Sequence, residues 1–184
     1  MSGISETVEE DESIWVSAKS RLPWLLIGMA GGLIGARFAG IFEDQIRLVP
    51  AMAFFIPLIT ATGGNVGIQS STVMVQSLGN KALSGAGFFR KLVKTLMIGL
   101  VNALIISIAV FSVVGLSGQD TNLALTVSVA IFSVVMLASV MGTVTPFLLE
   151  KAGINPALAS GPVITTANDL LGLAVYFGVA WWML

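Results

Sequence analysis

The sequence predicts an all-α integral membrane protein with five transmembrane helices per chain, its N-terminus cytoplasmic and its C-terminus outside. Three observations carry that prediction. Of the 184 residues, 55% are hydrophobic and only 10% are charged, against about 25% charged in soluble domains, so the chain cannot cover a water-facing surface. The apolar residues fall into five runs, each long enough to supply the ~20 residues that cross a hydrocarbon core. The basic residues are one-sided. With the N-terminus inside, Lys19, Arg21, Lys81, Arg90, Lys91, Lys94 and Lys151 all fall on the cytoplasmic side, while only Arg47 lies in an outer loop, which is the positive-inside pattern.

The elements follow in order. Residues 1–12 carry five acids and read as a disordered, solvated tail. Residues 13–22, "SIWVSAKSRL", read as an interfacial helix, with Trp15 and Trp24 at headgroup level and Lys19 and Arg21 toward the phosphates. Residues 23–184 form the five-helix transmembrane domain. Its spans are 23–42, 50–78, 92–116, 123–149 and 156–184, several of them long enough to require tilt or a break. In the first span Gly28, Gly32, Ala36 and Gly40 repeat every four residues, a small-residue ridge for close helix packing. Pro146 is expected to kink the fourth span. The stretch "GNKALSGAGFFRKLVK" between spans two and three can lie along the inner surface.

Composition also limits the chemistry. The net charge of −1 argues against a nucleic-acid partner. With no Cys and no His, disulfides, thiolate or imidazole metal sites and a histidine proton relay are excluded. Oxygen is the ligand type that remains, which favours hard cations such as Mg²⁺.

Two segments depart from plain membrane helix. The second span contains "ITATGGNVGIQSSTVMVQ". Gly63, Gly64 and Gly67 crowd a mid-span position, where broken backbone survives only if buried in protein or lining a wet cavity. Asn65, Gln69, Thr72 and Gln76 follow at helical spacing and make one polar stripe. That stripe fits either an interhelical contact or a pore wall; its length, nearly three turns, favours the wall. In the fifth span Pro162, Thr165, Asp169, Gly172 and Tyr176 share one helical face, and the neighbouring Asn168 points about a quarter-turn away. A carboxylate at mid-bilayer costs roughly 2.5–3.5 kcal/mol even on a lenient scale. Asp169 therefore requires a partner, a cavity or an ion. Arg37 is the basic residue inside another span, but it lies near the outer end of its helix and is expected to snorkel outward, toward Glu43 or Asp44.

"PLITATGGNVGIQSST" and "NPALASGPVITTANDLLGLAVYFGVA" resemble the second and fifth transmembrane helices of the MgtE family of magnesium channels and transporters. The number of spans, their orientation and the order of the two motifs agree, and the resemblance runs from about Trp15 onward. It implies a homodimer in a cell inner (plasma) membrane, with one ion pathway between the subunits. Asp169 would be its main selectivity residue. Gly63, Gly64 and Asn65 would line the same constriction, with Thr72 on its wall. Three features differ from the family pattern. Members carry a cytoplasmic helical domain and a CBS pair ahead of the membrane part, where this chain has about twenty residues. It is expected to be a stand-alone membrane unit or an excised domain, without gating by those parts. Asn155 stands where some relatives have an acid, which weakens a second cation site at the inner mouth. Gly161 stands where some have asparagine, which thins the polar lining.

The mechanism expected from these residues is passive and driven by the membrane potential. Mg²⁺ dehydrates reluctantly and is held through its waters by one or two carboxylates. Two Asp169 side chains across a dimer axis would face one hydrated ion, with Asn65, Thr165 and open backbone carbonyls accepting hydrogen bonds from its waters. The rival is a proton-coupled divalent-cation carrier or exporter in which Asp169 titrates. An enzyme built on an intramembrane aspartyl dyad is disfavoured, because the tyrosine-aspartate and glycine-x-glycine-aspartate motifs of such proteases are missing. A non-catalytic scaffold leaves the polar stripe without a purpose.

Overall fold

A computed structural model describes residues 14–79 and 85–184. The acidic tail 1–12, Ser13 and Lys81 lie outside the described residues. The chain runs through six helices: α1 (Ile14–Ile41), α2 (Glu43–Leu48), α3 (Met52–Gly79), α4 (Gly85–Leu116), α5 (Thr121–Lys151) and α6 (Pro156–Met183). Among the described residues, four helical stretches are long and apolar enough to cross a membrane, in α1, α4, α5 and α6. The fifth long helix, α3, has 28 residues, and its glycines and polar stripe interrupt its apolar run.

Local chemistry explains the ends. Pro156 opens α6, and the Asn155 side chain caps it by accepting from the Ala157 backbone N–H at 2.9 Å. Asn155, read from sequence as a weakened ion site, thus has a capping role. Gly118 and Gly153 sit in the turns before α5 and α6 with φ of 79° and 75°, a region that costs other residues and not glycine. Pro23, Pro57 and Pro146 lie inside helices without ending them.

Three details differ from the sequence reading. Residues 14–22 are continuous with the first span in α1, so no break in the helix marks a surface segment. The linker after α1 forms the short helix α2, tied by Arg47 donating to Glu43 at 2.7 Å. That pair uses Glu43, one of the two carboxylates offered to Arg37, and Arg37 has no ion pair among the described residues. Finally, the ridge of Gly28, Gly32 and Gly40 has nothing within 4 Å of a built Cβ; Gly31 and Gly35, on the adjoining face, meet Thr166, Leu170 and Leu173 of α6 instead.

The core lies along α5, which packs on α3, α4 and α6; α3 also packs on α6, and α1 is held mainly against α6. Ile59, Val127, Ile131, Val134, Val135 and Phe177 are fully or almost fully buried there. Tyr176 is buried with them and donates its hydroxyl to the Met52 carbonyl at 2.9 Å. It is therefore a core residue and not part of the polar face of α6. Gly142 of α5 comes so close to α3 that a Cβ would collide with the Gly67 carbonyl oxygen. Glycine here serves close approach of two backbones.

Candidate ion site

The glycines of α3 do not break it. The helix continues through Gly63, Gly64 and Gly67, all three buried. Its backbone carbonyls there are engaged within the helix, which corrects the expectation of open carbonyls at a broken segment. What the glycines provide is room for α5 and α6. A Cβ on Gly63 would lie 3.0 Å from Val134 Cγ1 and 3.7 Å from the Asn168 carbonyl oxygen. A Cβ on Gly64 would lie 3.9 Å from Asp169 Oδ1, the nearest heavy atom of a neighbouring helix to it. The two segments singled out in the sequence therefore meet, α3 against α6, with the carboxylate beside a residue that has no side chain.

Asp169 lies thirteen residues after the start of α6 and fourteen before its end. It is half-buried and makes no hydrogen bond or ion pair among the described residues. Among the described residues neither Arg37 nor any other base neutralises it, so the Arg37 ion pair does not explain this residue within the chain. Among the described residues no three acidic, His or Cys side chains gather into a metal-binding group. Among the described residues the site holds one carboxylate, that of Asp169.

The polar stripe of α3 faces outward from the chain. Asn65, Gln69, Thr72 and Gln76 are all exposed, on the side opposite the buried Ile59, Gly63, Gly67 and Ser71. Among the described residues none of the four hydrogen-bonds to another helix, which argues against an interhelical contact within the chain as their explanation. Thr72 Oγ1 donates to the Ile68 carbonyl at 2.9 Å, and half-buried Thr165 donates to the Gly161 carbonyl at 3.1 Å. A hydroxyl that spends its proton on its own helix presents lone pairs outward. Such oxygens suit the hydrogens that a hydrated cation turns toward its surroundings.

The residue that sequence reasoning passed over is Asn168. It does point away from the Asp169 face, as its spacing requires, but that direction leads into the α3–α6 contact, where it is 2% exposed. The available signal was an amide next to the carboxylate in an otherwise apolar run.

Comparison with known proteins agrees with the two motifs. The model of the MgtE family, described as "Divalent cation transporter", matches residues 56–179, which takes in all of the candidate site. The magnesium transporter MgtE of Bacillus subtilis (strain 168) is 36% identical over 174 residues, covering 92% of this chain and 38% of the relative. Those of Enterococcus faecalis and Thermus thermophilus are 33% and 32% identical over 94% and 91% of the chain. The chain spans less than two-fifths of the length of each of these relatives. A family match over two-thirds of the residues and this level of identity over nine-tenths of them establish that the chain belongs to the MgtE family.

Proposed function

We propose that this chain forms the membrane pore of a divalent-cation transporter, with Mg²⁺ as its cargo and Asp169 as the selectivity carboxylate. The observation that carries the reading is the state of Asp169: mid-helix, half-buried, without a partner among the described residues, and set beside Gly64. A carboxylate kept so in an apolar protein is stable only where water or a cation reaches it. The family is one of transporters and not of enzymes, so an aspartyl dyad is set aside.

Two copies of the chain supply what one lacks. A homodimer joined across the outward face of α3 brings two Asp169 residues to one axis and turns both polar stripes into a lined path. All five long helices cross a cell inner (plasma) membrane in this reading, α3 included, since its polar face is sheltered between protomers. The N-terminus lies in the cytoplasm and the C-terminus outside. A hydrated Mg²⁺ between the two carboxylates relieves their mutual repulsion, and its waters donate to Asn65, Thr165 and Thr72 and to the second lone pairs of carbonyls near Gly63 and Gly64. Holding the ion through its waters keeps affinity modest, so that it can leave. Entry follows the membrane potential, about 2.3 kcal/mol per charge per 100 mV.

The test is divalent uptake into proteoliposomes at clamped voltage, wild type beside Asp169→Ala. Voltage-driven Mg²⁺ flux that vanishes in the variant, with the dimer intact, is the expected result. Normal Mg²⁺ uptake by Asp169→Ala would sink the assignment. Uptake that needs a proton gradient at clamped voltage would replace passive flow with proton coupling.

A further inference from the structure

Asn168 is 2% exposed, and its Nδ2 atom is buried with no hydrogen-bond partner among the described residues. Its seat is built by glycine. A Cβ on Gly67 would run into the Asn168 side chain and come within 2.9 Å of Ile164 Cγ2. One turn along α6 the pattern reverses, where a Cβ on Gly172 would meet Ile59 Cγ2 of α3 at 3.5 Å. Each projection on one helix thus faces a gap on the other. Sliding α6 by one turn, about 5.4 Å, would move Asn168 from Gly67 to Ser71 or Gly63 and carry Asp169 away from Gly64. A leucine, with the same branched skeleton of side-chain heavy atoms, would enter the Gly67 notch without stranding a donor. The amide is therefore held at a cost in stability, and buried polar residues retained at such a cost can fix the register of packed helices.

We infer that Asn168 is a positioning residue: seated in the notch at Gly67, it sets the height at which α6 crosses α3 and so holds the Asp169 carboxylate beside Gly64. This rests on the reading of Asp169 as the ion-binding carboxylate. Asn168 touches no ion; it acts through its neighbour.

The experiment reconstitutes the full chain as wild type, Asp169→Ala and Asn168→Leu. It measures the unfolding midpoint in detergent, the Mg²⁺ concentration for half-maximal flux, and the ratio of Mg²⁺ to Ca²⁺ flux. Asn168→Leu should unfold at or above the wild-type midpoint, yet need about tenfold more Mg²⁺ or worse, as small misplacements of a binding group do, and its flux ratio should fall toward one. A folded Asn168→Leu with wild-type half-saturation and flux ratio overturns the proposal while leaving Asp169 in its role. Flux retained by Asp169→Ala instead overturns the role of Asp169, and the positioning proposal with it. Should Asn168→Leu not fold, the size-swapped pair Gly67→Ala with Asn168→Ala decides. A restored fold with a lost flux ratio supports the proposal, and a restored fold with a wild-type ratio overturns it.

Discussion

Gly142→Ala puts one methyl group into the seam between α3 and α5. The new Cβ would stand 2.7 Å from Ser70 Cβ and closer still to the Gly67 carbonyl oxygen. Carbon atoms rest at about 3.5–4.0 Å, so the two helices must part by roughly 1 Å. The obstructing atoms are backbone and a Cβ, which cannot rotate aside. The cost therefore falls at the upper end of the ~1–3 kcal/mol typical of overpacking. Alanine returns ~1 kcal/mol through its better helix propensity, which leaves a net loss of about 2 kcal/mol. Equilibrium unfolding of the detergent-solubilised protein measures it. Gly115→Ala is the control, because nothing lies within 4 Å of its Cβ, and it should be neutral or up to ~1 kcal/mol more stable. If Gly142→Ala proves as stable as Gly115→Ala, the close approach of the two backbones is not as described.

Two further substitutions separate the site from the scaffold. Gly64→Ala should fold, since its Cβ meets only Asp169 Oδ1 at an ordinary 3.9 Å, but the methyl group stands against the carboxylate and should lower Mg²⁺ flux in proteoliposomes; undiminished flux would place the ion path elsewhere. Tyr176→Phe removes the hydroxyl that donates to the Met52 carbonyl and should cost about 0.5–1.5 kcal/mol of stability with no change in the Mg²⁺ to Ca²⁺ flux ratio, a shift in which would contradict its place in the core.

The five long helices were legible because each is an apolar run closed by glycine, proline or charge. The meeting of the α3 glycines with Asp169 was legible through a specific family resemblance; spacing alone gives no contact between residues a hundred positions apart. What the sequence could not supply was phase. In α1 both Gly28-Gly32-Ala36-Gly40 and Gly31-Gly35 have the four-residue step, and Thr166, Leu170 and Leu173 on the distant α6 decide which one packs. The glycines of α3 were misread for a related reason. A glycine cluster within a helix fits a break or a close crossing equally well, and the bulk opposite, at Val134, Ile164 and Asn168, is what makes it a crossing. Tyr176 shares a helical face with Asp169 by periodicity, but two turns carry it past the end of the polar surface into the core.

The attachment of α1 sets an order of assembly. Its apolar stretch is only 11% buried, against 61% for α5, and its seam is Gly31 on Thr166 and Gly35 on Leu170 and Leu173. Chains are made from the N-terminus, so α1 leaves the ribosome before α3, α4 and α5, while the surface that receives it, on α6, follows them. Throughout the synthesis of α3, α4 and α5, α1 waits in lipid without its main protein neighbour. A chain stopped before α6 would keep the α3–α5 and α4–α5 contacts and leave α1 without its main contact. Nascent-chain lengths that stop short of Leu173 should therefore leave the glycine seam of α1 open to a lipid-soluble crosslinker, and longer ones should close it.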